Sequence, residues 1–486
     1  MNAHSDWLKD QAIEHTSFKA VIADDCEYTF SELDKYVDSA ALTLRENKII
    51  CDQLVPVILG HKIEFIIVVF ALWRIGAVPV PVSPQLTESE YKTLFESLSV
   101  NVAVVGNEVS YLKQYINCLS ADYKMSPNCL PESLWGKSKN NLAIVMLTSG
   151  STGASKAVMI SFSSLFNSFL SISKFDDYDE TDKFLASLPF HHIGGFSILI
   201  RSLLTGASLC IPRSTKHEDI IYFINKFNPS IISLVPTVLK RLVEIGLKPN
   251  TALRSLYVGG GPSNEKLTAD AFELNYPIVK VYGSTETCAM VSAVRIKRIP
   301  HFNSSGYALP GNDITIDVSG MIDYNDYYLG EILIRSGSLF SGYLNDDKLT
   351  KEKLEEGWYH TGDYGYIDEN GLLHVVMRRE DLIVSGGENL NPVEIQNALN
   401  SIDGISESFV TGIDDEEWGQ IAVAYIVTNS DIKDTEIKNE LRKLIAPYKI
   451  PKNIIRVKSL PRNDLGKVNR QELVNLSLND GMKGRS

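Results

Sequence analysis

Short apolar runs alternate with amphipathic stretches through the first 260 or so residues. Thr29-Phe-Ser-Glu-Leu-Asp-Lys-Tyr-Val-Asp-Ser-Ala-Ala-Leu42 sets apolar side chains at three-to-four spacing behind a hydroxyl, which predicts a helix capped by Thr29 or Ser31. Val55-Pro-Val-Ile-Leu59 predicts a buried strand and residues 64–76 an apolar helix, while Pro79, Pro81 and Pro84 keep 78–84 extended. The rhythm continues through 184–188, 193–204, 208–211, 231–235 and 255–261. Alternation of this kind predicts a large α/β domain of mixed or parallel sheets. From about residue 313 the pattern shifts to shorter β segments (314–318, 330–335, 371–376) bounded by Gly, Asn or Asp, which predicts a β-rich subdomain over 313–378. Beyond it an α+β pattern runs to a polar tail. The expected division is a large domain over 1–378 and a smaller C-terminal domain over 379–486, with no internal repeat in either.

Composition narrows the class. A chain of 486 residues exceeds one typical core. Net charge of −13 argues against a general nucleic-acid surface, leaving small molecules as the expected partners. No apolar run reaches the length of a membrane span, and the opening residues lack the basic start and apolar core of a secretory signal. Six scattered cysteines with no C-x-x-C pair fit a reducing, cytoplasmic setting. His191-His192 have no carboxylate or cysteine in register, so they do not read as a metal centre.

The chemistry-bearing residues gather where strands end. Leu142-Ala-Ile-Val-Met-Leu-Thr148 runs into Ser149-Gly150-Ser151-Thr152-Gly153-Ala-Ser-Lys156, where two glycines free backbone N–H groups and hydroxyls and one lysine add donors. This is an anion cradle in chemical terms, though a polar hairpin reads the same way, and its spacing is not that of a P-loop. Tyr257-Val-Gly259-Gly260-Gly261-Pro262 permits close approach of a flat ring or a phosphate, or simply turns the chain. Tyr282-Gly283-Ser284-Thr285-Glu286-Thr287 offers an aromatic face, hydroxyls and a carboxylate. Glu286 is a hard oxygen ligand suited to Mg²⁺, or the first-turn acid of a helix. Asp363, beside Gly362, can accept from two hydroxyls as ribose recognition requires. Arg378, Asp381, Gly386-Gly387-Glu388 and Lys467 are candidates for a second wall.

In this order the motifs resemble the acyl-adenylate-forming superfamily of acyl- and aryl-CoA ligases, luciferase-like enzymes and peptide-synthetase adenylation domains, over nearly the whole chain. Two positions depart from the family pattern: Ser155 stands before Lys156 where proline is usual, and Met377 before Arg378 where glycine is usual. The resemblance implies a two-step reaction in which a carboxylate and Mg·ATP give an acyl-adenylate, and a thiol, on coenzyme A or on a carrier protein, then displaces AMP. It implies that Thr148, Ser149, Gly150, Ser151, Thr152, Gly153 and Lys156 hold the outer phosphates and that Gly260, Gly261, Tyr282, Gly283, Ser284 and Thr285 surround the nucleotide. Glu286 would hold Mg²⁺, Asp363 and Arg378 the ribose, and Lys467 the reacting carboxylate. Asp381 would be the hinge of a mobile small domain that brings Gly386 and Gly387 to the thiol. His192, with Gly195, Ser197, Arg201, Gly260 and Gly283, would line the acyl pocket. No Asp occurs between 183 and 218 to pair an ammonium, which disfavours an amino-acid substrate. Within the superfamily, Gly194-Gly-Phe-Ser-Ile-Leu-Ile-Arg201 is most similar to the o-succinylbenzoate–CoA ligases of menaquinone biosynthesis. There Arg201 or His192 would meet the second carboxylate, unless Arg201 faces solvent; other aryl- or medium-chain acyl-CoA ligases are the alternative. Superfamily members often form homo-oligomers.

Overall fold

In the computed structural model Thr29, the first of the two expected caps, opens the Phe30–Glu46 helix through a reciprocal box: Glu32 N donates to Thr29 Oγ1 at 3.2 Å, and Thr29 N to Glu32 Oε2 at 2.8 Å. The structure describes residues 2–123, 130, 132–148, 156–261, 265–297, 301–324, 327–378, 383–385, 388–390, 392–415, 418–429, 431–445, 447–463 and 466–480. The Ile63–Arg74 helix is apolar on every side and is buried from Phe65 to Arg74. It connects the parallel strands Leu54–Ile58 and Val78–Pro81 in a sheet ordered Val78–Pro81, Leu54–Ile58, Val102–Val105, Asn117–Ser120. Pro79 and Pro81 are accommodated because their strand is the outermost, where a missing N–H breaks no interior ladder.

A larger sheet follows, with nine strands among the described residues. Its centre is six parallel strands in the order Ile278–Tyr282, Ser255–Val258, Ile231–Leu234, Lys183–Leu185, Ser208–Cys210, Lys19–Ile22, and antiparallel strands close both edges. Ile232, Leu234, Leu256, Val258 and Ile278 pack against Phe223 and Leu239 on the covering helices, which is why these strands read as continuous apolar runs. Leu142–Thr148, Lys156–Ser161 and Gly342–Tyr343 form a small antiparallel sheet. The β-rich segment supplies a sheet ordered Asn312–Tyr324, Tyr327–Ser336, Trp358–Ile367, Leu354–Glu355, with Leu373–Arg378 also paired to Trp358–Ile367. Near the C-terminus a further sheet runs Glu388–Leu390, Ile383–Ser385, Gly419–Thr428, Ile405–Asp415, with Asn453–Arg456 against Gly419–Thr428, and the Pro392–Asn400 and Asp434–Leu444 helices share its core.

By packing, the chain divides into one unit of Met1–Ile314, Ile334–His360 and Gly371–Leu373 and another of Thr315–Leu333, Thr361–Asn370 and His374–Ser486. The β-rich segment thus contributes to both. No described helix is long and apolar enough to cross a membrane.

Candidate functional site

The cradle falls between two paired strands. Leu142–Thr148 and Lys156–Ser161 pair antiparallel with Thr148 opposite Lys156, and Thr148 Oγ1 lies 3.5 Å from Lys156 O. Ser149, Gly150, Ser151, Thr152 and Gly153 lie outside the described residues. From the Lys156 strand the side chain reaches Tyr343, with Nζ 5.9 Å from the ring centroid. Tyr343 Oη donates to Glu286 Oε1 at 3.0 Å, and Phe340 N donates to Glu286 O at 2.8 Å. One tyrosine therefore brings together a cation and a carboxylate 130 residues apart in sequence. Sequence reasoning missed it. The available signal was Phe340-Ser-Gly342-Tyr343: Gly342 has φ +131°, and a Cβ there would lie 2.8 Å from Thr350 Cγ2.

Three parallel strands end side by side at Leu234, Val258 and Tyr282, and their carboxyl edge carries both glycine motifs. A crevice outside the carboxyl ends of parallel strands is where open α/β sheets bind ligands. A Cβ on Gly259 would meet Val281 Cγ2 at 2.6 Å, so this glycine lets two strand ends close; Gly260, at φ +78°, is exposed. The segment after Tyr282 is a closed turn, not the helix start that Glu286 alone would also allow. Ser284 N donates to Thr287 Oγ1 at 2.8 Å, Ala289 N to Ser284 O at 3.0 Å, and Val291 N to Tyr282 O at 2.9 Å. A Cβ on Gly283 would lie 1.4 Å from Ala289 O, so no other residue fits. The buried Thr287 hydroxyl is spent on this closure, which leaves Glu286 at the tip. Among the described residues no three His, Cys, Asp or Glu side chains cluster to hold a metal by themselves. A Mg²⁺ carried in on phosphates needs only one or two carboxylates from the protein, and Glu286 fits that part.

His192 is the N-cap residue of the Ile193–Thr205 helix and is half-buried. Gly195 seats the first turn of that helix on the preceding loop: a Cβ would lie 2.2 Å from Pro189 O and 2.4 Å from Leu188 O. Ser197 Oγ donates to Gly194 O at 2.9 Å. Arg201 does not face solvent. It is 3% exposed, and Nε donates to Ser197 O at 3.2 Å, one terminal nitrogen to Tyr178 Oη at 3.3 Å and the other to Ser233 Oγ at 3.0 Å. Its guanidinium also stacks 5.1 Å from the Tyr257 centroid. Tyr178 Oη bonds Tyr257 Oη at 2.7 Å, and Tyr257 Oη donates to Asp176 Oδ2, while Asp176 Oδ1 accepts from Arg254 and Arg295 at 2.8 and 3.0 Å. Burial pushes both phenols up, so they act as hydrogen-bond donors rather than anions. Helical periodicity placed Arg201 on the helix, but only the fold shows this network beneath it.

In the second unit, Asp363 is buried within the Trp358–Ile367 strand, where its N–H donates to Thr361 Oγ1 at 3.0 Å, that hydroxyl donates to Ile332 O at 2.7 Å, and Gly362 N donates to Glu331 Oε1 at 2.8 Å. Arg378 ends the Leu373–Arg378 strand. Asp381, Gly386 and Gly387 lie outside the described residues. Lys467 is exposed and is held near Asn463: Asn463 N donates to Lys467 O at 2.8 Å, Lys467 N to Asn463 Oδ1 at 3.0 Å, and Gly466 takes φ +74°. Arg462 braces this pairing, donating to Gly466 O and to Glu407 Oε2, each at 2.8 Å.

Residues 8–344 match the AMP-binding enzyme family, and residues 394–467 match the AMP-binding enzyme C-terminal domain. The 2-succinylbenzoate–CoA ligase of Bacillus pumilus is 30% identical over 97% of this chain and 98% of its own length; that of Staphylococcus epidermidis is 27% identical over 99% of each. Among solved structures, the o-succinylbenzoate CoA synthetase (MenE) of Bacillus subtilis in complex with the acyl-adenylate intermediate OSB-AMP superposes with a TM-score of 0.88 at 27% identity, covering 96% of this chain and 97% of its own. The same enzyme with ATP and magnesium ion gives 0.87, covering 96% and 99%.

Proposed function

The chain belongs to the AMP-binding enzyme family, and from that premise we propose that it is an AMP-forming carboxylate–CoA ligase whose substrate is 2-succinylbenzoate, in menaquinone biosynthesis. The first half-reaction joins the carboxylate oxygen to the α-phosphorus of ATP and releases pyrophosphate. In the second, the thiol of coenzyme A attacks the acyl carbon and AMP leaves. Relatives named for this activity span almost the whole chain at up to 30% identity. The observation that supports adenylation is the convergence of Lys156 and Glu286 on Tyr343, and the choice of acid is supported by those relatives.

In this reading the 148–153 segment and Lys156 hold the β- and γ-phosphates, and Tyr282 with Gly260 and Gly261 flanks the adenine. Glu286, oriented by Tyr343, holds the Mg²⁺ that offsets phosphate charge. Asp363 and Arg378 take the ribose hydroxyls. The small domain, 379–486, turns about Asp381 so that Lys467 serves the first half-reaction and Gly386 and Gly387 face the thiol in the second. Free cysteines at 26, 51, 118, 210 and 288 suit a cytoplasmic enzyme, and self-association is expected to follow the superfamily habit.

The decisive test is ATP–pyrophosphate exchange with a panel of carboxylates, followed by thioester formation with free coenzyme A. Exchange is expected with 2-succinylbenzoate above benzoate, coumarate and medium-chain acids. Silence with every acid defeats the ligase reading, and adenylation without transfer to free coenzyme A points to a carrier protein instead.

Each Arg201 nitrogen already donates within the chain and the side chain is buried, which favours His192 for the second carboxylate. Arg201→Leu is therefore expected to lower kcat/KM for 2-succinylbenzoate and benzoate by similar factors and to cost about 1–3 kcal/mol of stability through the buried polar groups it leaves behind. A loss confined to 2-succinylbenzoate would put the guanidinium in the pocket.

A further inference from the structure

His61 lies just past the carboxyl end of the Leu54–Ile58 strand in the four-stranded sheet, and Ala186 just past the carboxyl end of Lys183–Leu185 in the nine-stranded sheet. His61 Nε2 is 2.6 Å from Ala186 O. A carbonyl oxygen only accepts, so Nε2 carries the proton and Nδ1 is left as an acceptor. Nδ1 is sealed from solvent with no hydrogen-bond partner among the described residues. The imidazole also stacks on Phe190, with centroids 4.3 Å apart and planes at 28°, and Phe190 stacks in turn on Phe65 at 5.3 Å.

One side chain thus grips a short loop at two points, the Ala186 carbonyl and the Phe190 ring. The loop ends at His192, whose N–H donates to Pro189 O at 3.1 Å, and its Leu188 and Pro189 carbonyls abut Gly195 in the helix that follows. A shift of the loop therefore carries His192 with it. We propose that His61 is a positioning residue of the acyl pocket, a bolt between the two sheets that sets where the 186–192 loop presents His192 to the carboxylate substrate. This rests on the ligase reading for its substrate but not for its geometry.

A space-filling role alone would favour phenylalanine at this position, since an unsatisfied buried nitrogen is costly. Burial, opposed in part by the Ala186 bond and reinforced by the neighbouring His191, lowers the His61 pKa to about 4, so the imidazole stays neutral and the bond to Ala186 persists at physiological pH.

The experiment compares His61→Phe, which keeps a ring on Phe190 and removes the donor, with His61→Gln, whose amide nitrogen can donate to Ala186 O. In pyrophosphate exchange His61→Phe is expected to raise KM for the carboxylate about 10-fold to 100-fold, as small displacements near a reacting group do. KM for ATP and Tm should stay close to wild type, and His61→Gln should recover most of the loss. An unchanged carboxylate KM in His61→Phe, or equal rises in both KM values alongside a fallen Tm, overturns the proposal. Nitrogen-15 imidazole spectra of the full chain give a readout that needs no substrate: His61 should hold its proton on Nε2 from pH 8 to well below 6, and His61→Phe should move the His192 ring signals. A proton on Nδ1, or unmoved His192 signals, overturns the positioning role even in a protein that activates 2-succinylbenzoate. Agreement in the spectra with no exchange on any acid would instead defeat the ligase reading.

Discussion

Lys467→Ala is expected to lose acyl-adenylate formation, with pyrophosphate exchange falling about 10²–10³-fold as when one preorganised charge-stabilising donor is removed, while thioester formation from supplied acyl-AMP should continue at close to the wild-type rate. The asymmetry follows from where Lys467 stands when charge builds up. In the first half-reaction a carboxylate anion approaches a phosphate that is itself anionic, and a cation at that point stabilises the transition state more than either reactant. In the second, charge develops on the acyl oxygen and on the departing AMP, but in the proposed reading the small domain has by then carried Lys467 away, so the lysine is not there to meet it. Lys467 is suited to an intermittent role because it is exposed and its backbone is held from within its own unit, by Asn463, by Gly466 at φ +74° and by the Arg462–Glu407 pair. Lys467→Arg separates charge from shape: it keeps the cation but spreads it over a planar fork, and should recover only part of the exchange. Equal loss of both half-reactions in Lys467→Ala would contradict a small domain that withdraws its lysine between steps.

The parts of this site that were legible in the sequence are the parts that local chemistry determines. The Thr29 and Glu32 box can be read because its partners are three residues apart, and Pro79 and Pro81 restrict their own segment wherever it packs. Gly283 is legible as a turn although the reason it must be glycine, the Ala289 carbonyl, is visible only in three dimensions. What could not be read are the pairings across long separations: Tyr343 with Glu286 over 57 residues, His61 with Ala186 over 125, Arg201 with Ser233 over 32. Each is set by which strand lies beside which, and neither hydrophobic period nor composition encodes that order. Arg201 shows the consequence: helical spacing gave its element, but whether the guanidinium met solvent, ligand or protein depended on strands drawn from elsewhere in the chain.

The same limit hides the largest expected stability effect. Arg74→Met is expected to destabilise its unit by about 3–5 kcal/mol, the cost of breaking a buried ion cluster by removing one sign of charge. Arg74 ends the most apolar helix of the chain and reads as a surface charge at a helix C-terminus, yet it is fully buried. Its guanidinium donates from Nε to Asp6 Oδ2 at 2.9 Å, from one terminal nitrogen to Asp38 Oδ1 at 2.8 Å, and from the other to Asp34. Asp6 meanwhile caps the Trp7–Glu14 helix through Lys9 N and takes Ser133 Oγ at 2.8 Å, so one cation ties three helices and a loop together. Methionine keeps most of the volume, so the loss reports charge and hydrogen bonding rather than a cavity. It leaves three carboxylates facing one another in a poorly solvated site. Burial already raises the Asp38 pKa, with Asp34 adding to the rise and Arg74 opposing it. Without Arg74 the rise grows, and a carboxyl whose folded pKa lies above its unfolded value gains stability as it protonates, so the deficit of the variant should shrink as pH falls from 7 toward 5 and widen as pH rises. Urea unfolding followed by tryptophan fluorescence is the direct measurement, because Trp73 adjoins Arg74 and packs on Trp7 and Trp135 at 5.9 and 4.8 Å between centroids. A deficit that does not change with pH would mean that lost packing, not stranded charge, explains the effect. Adding Asp34→Asn and Asp38→Asn to Arg74→Met should then restore nothing, whereas stranded charge predicts that they recover a substantial part of the loss.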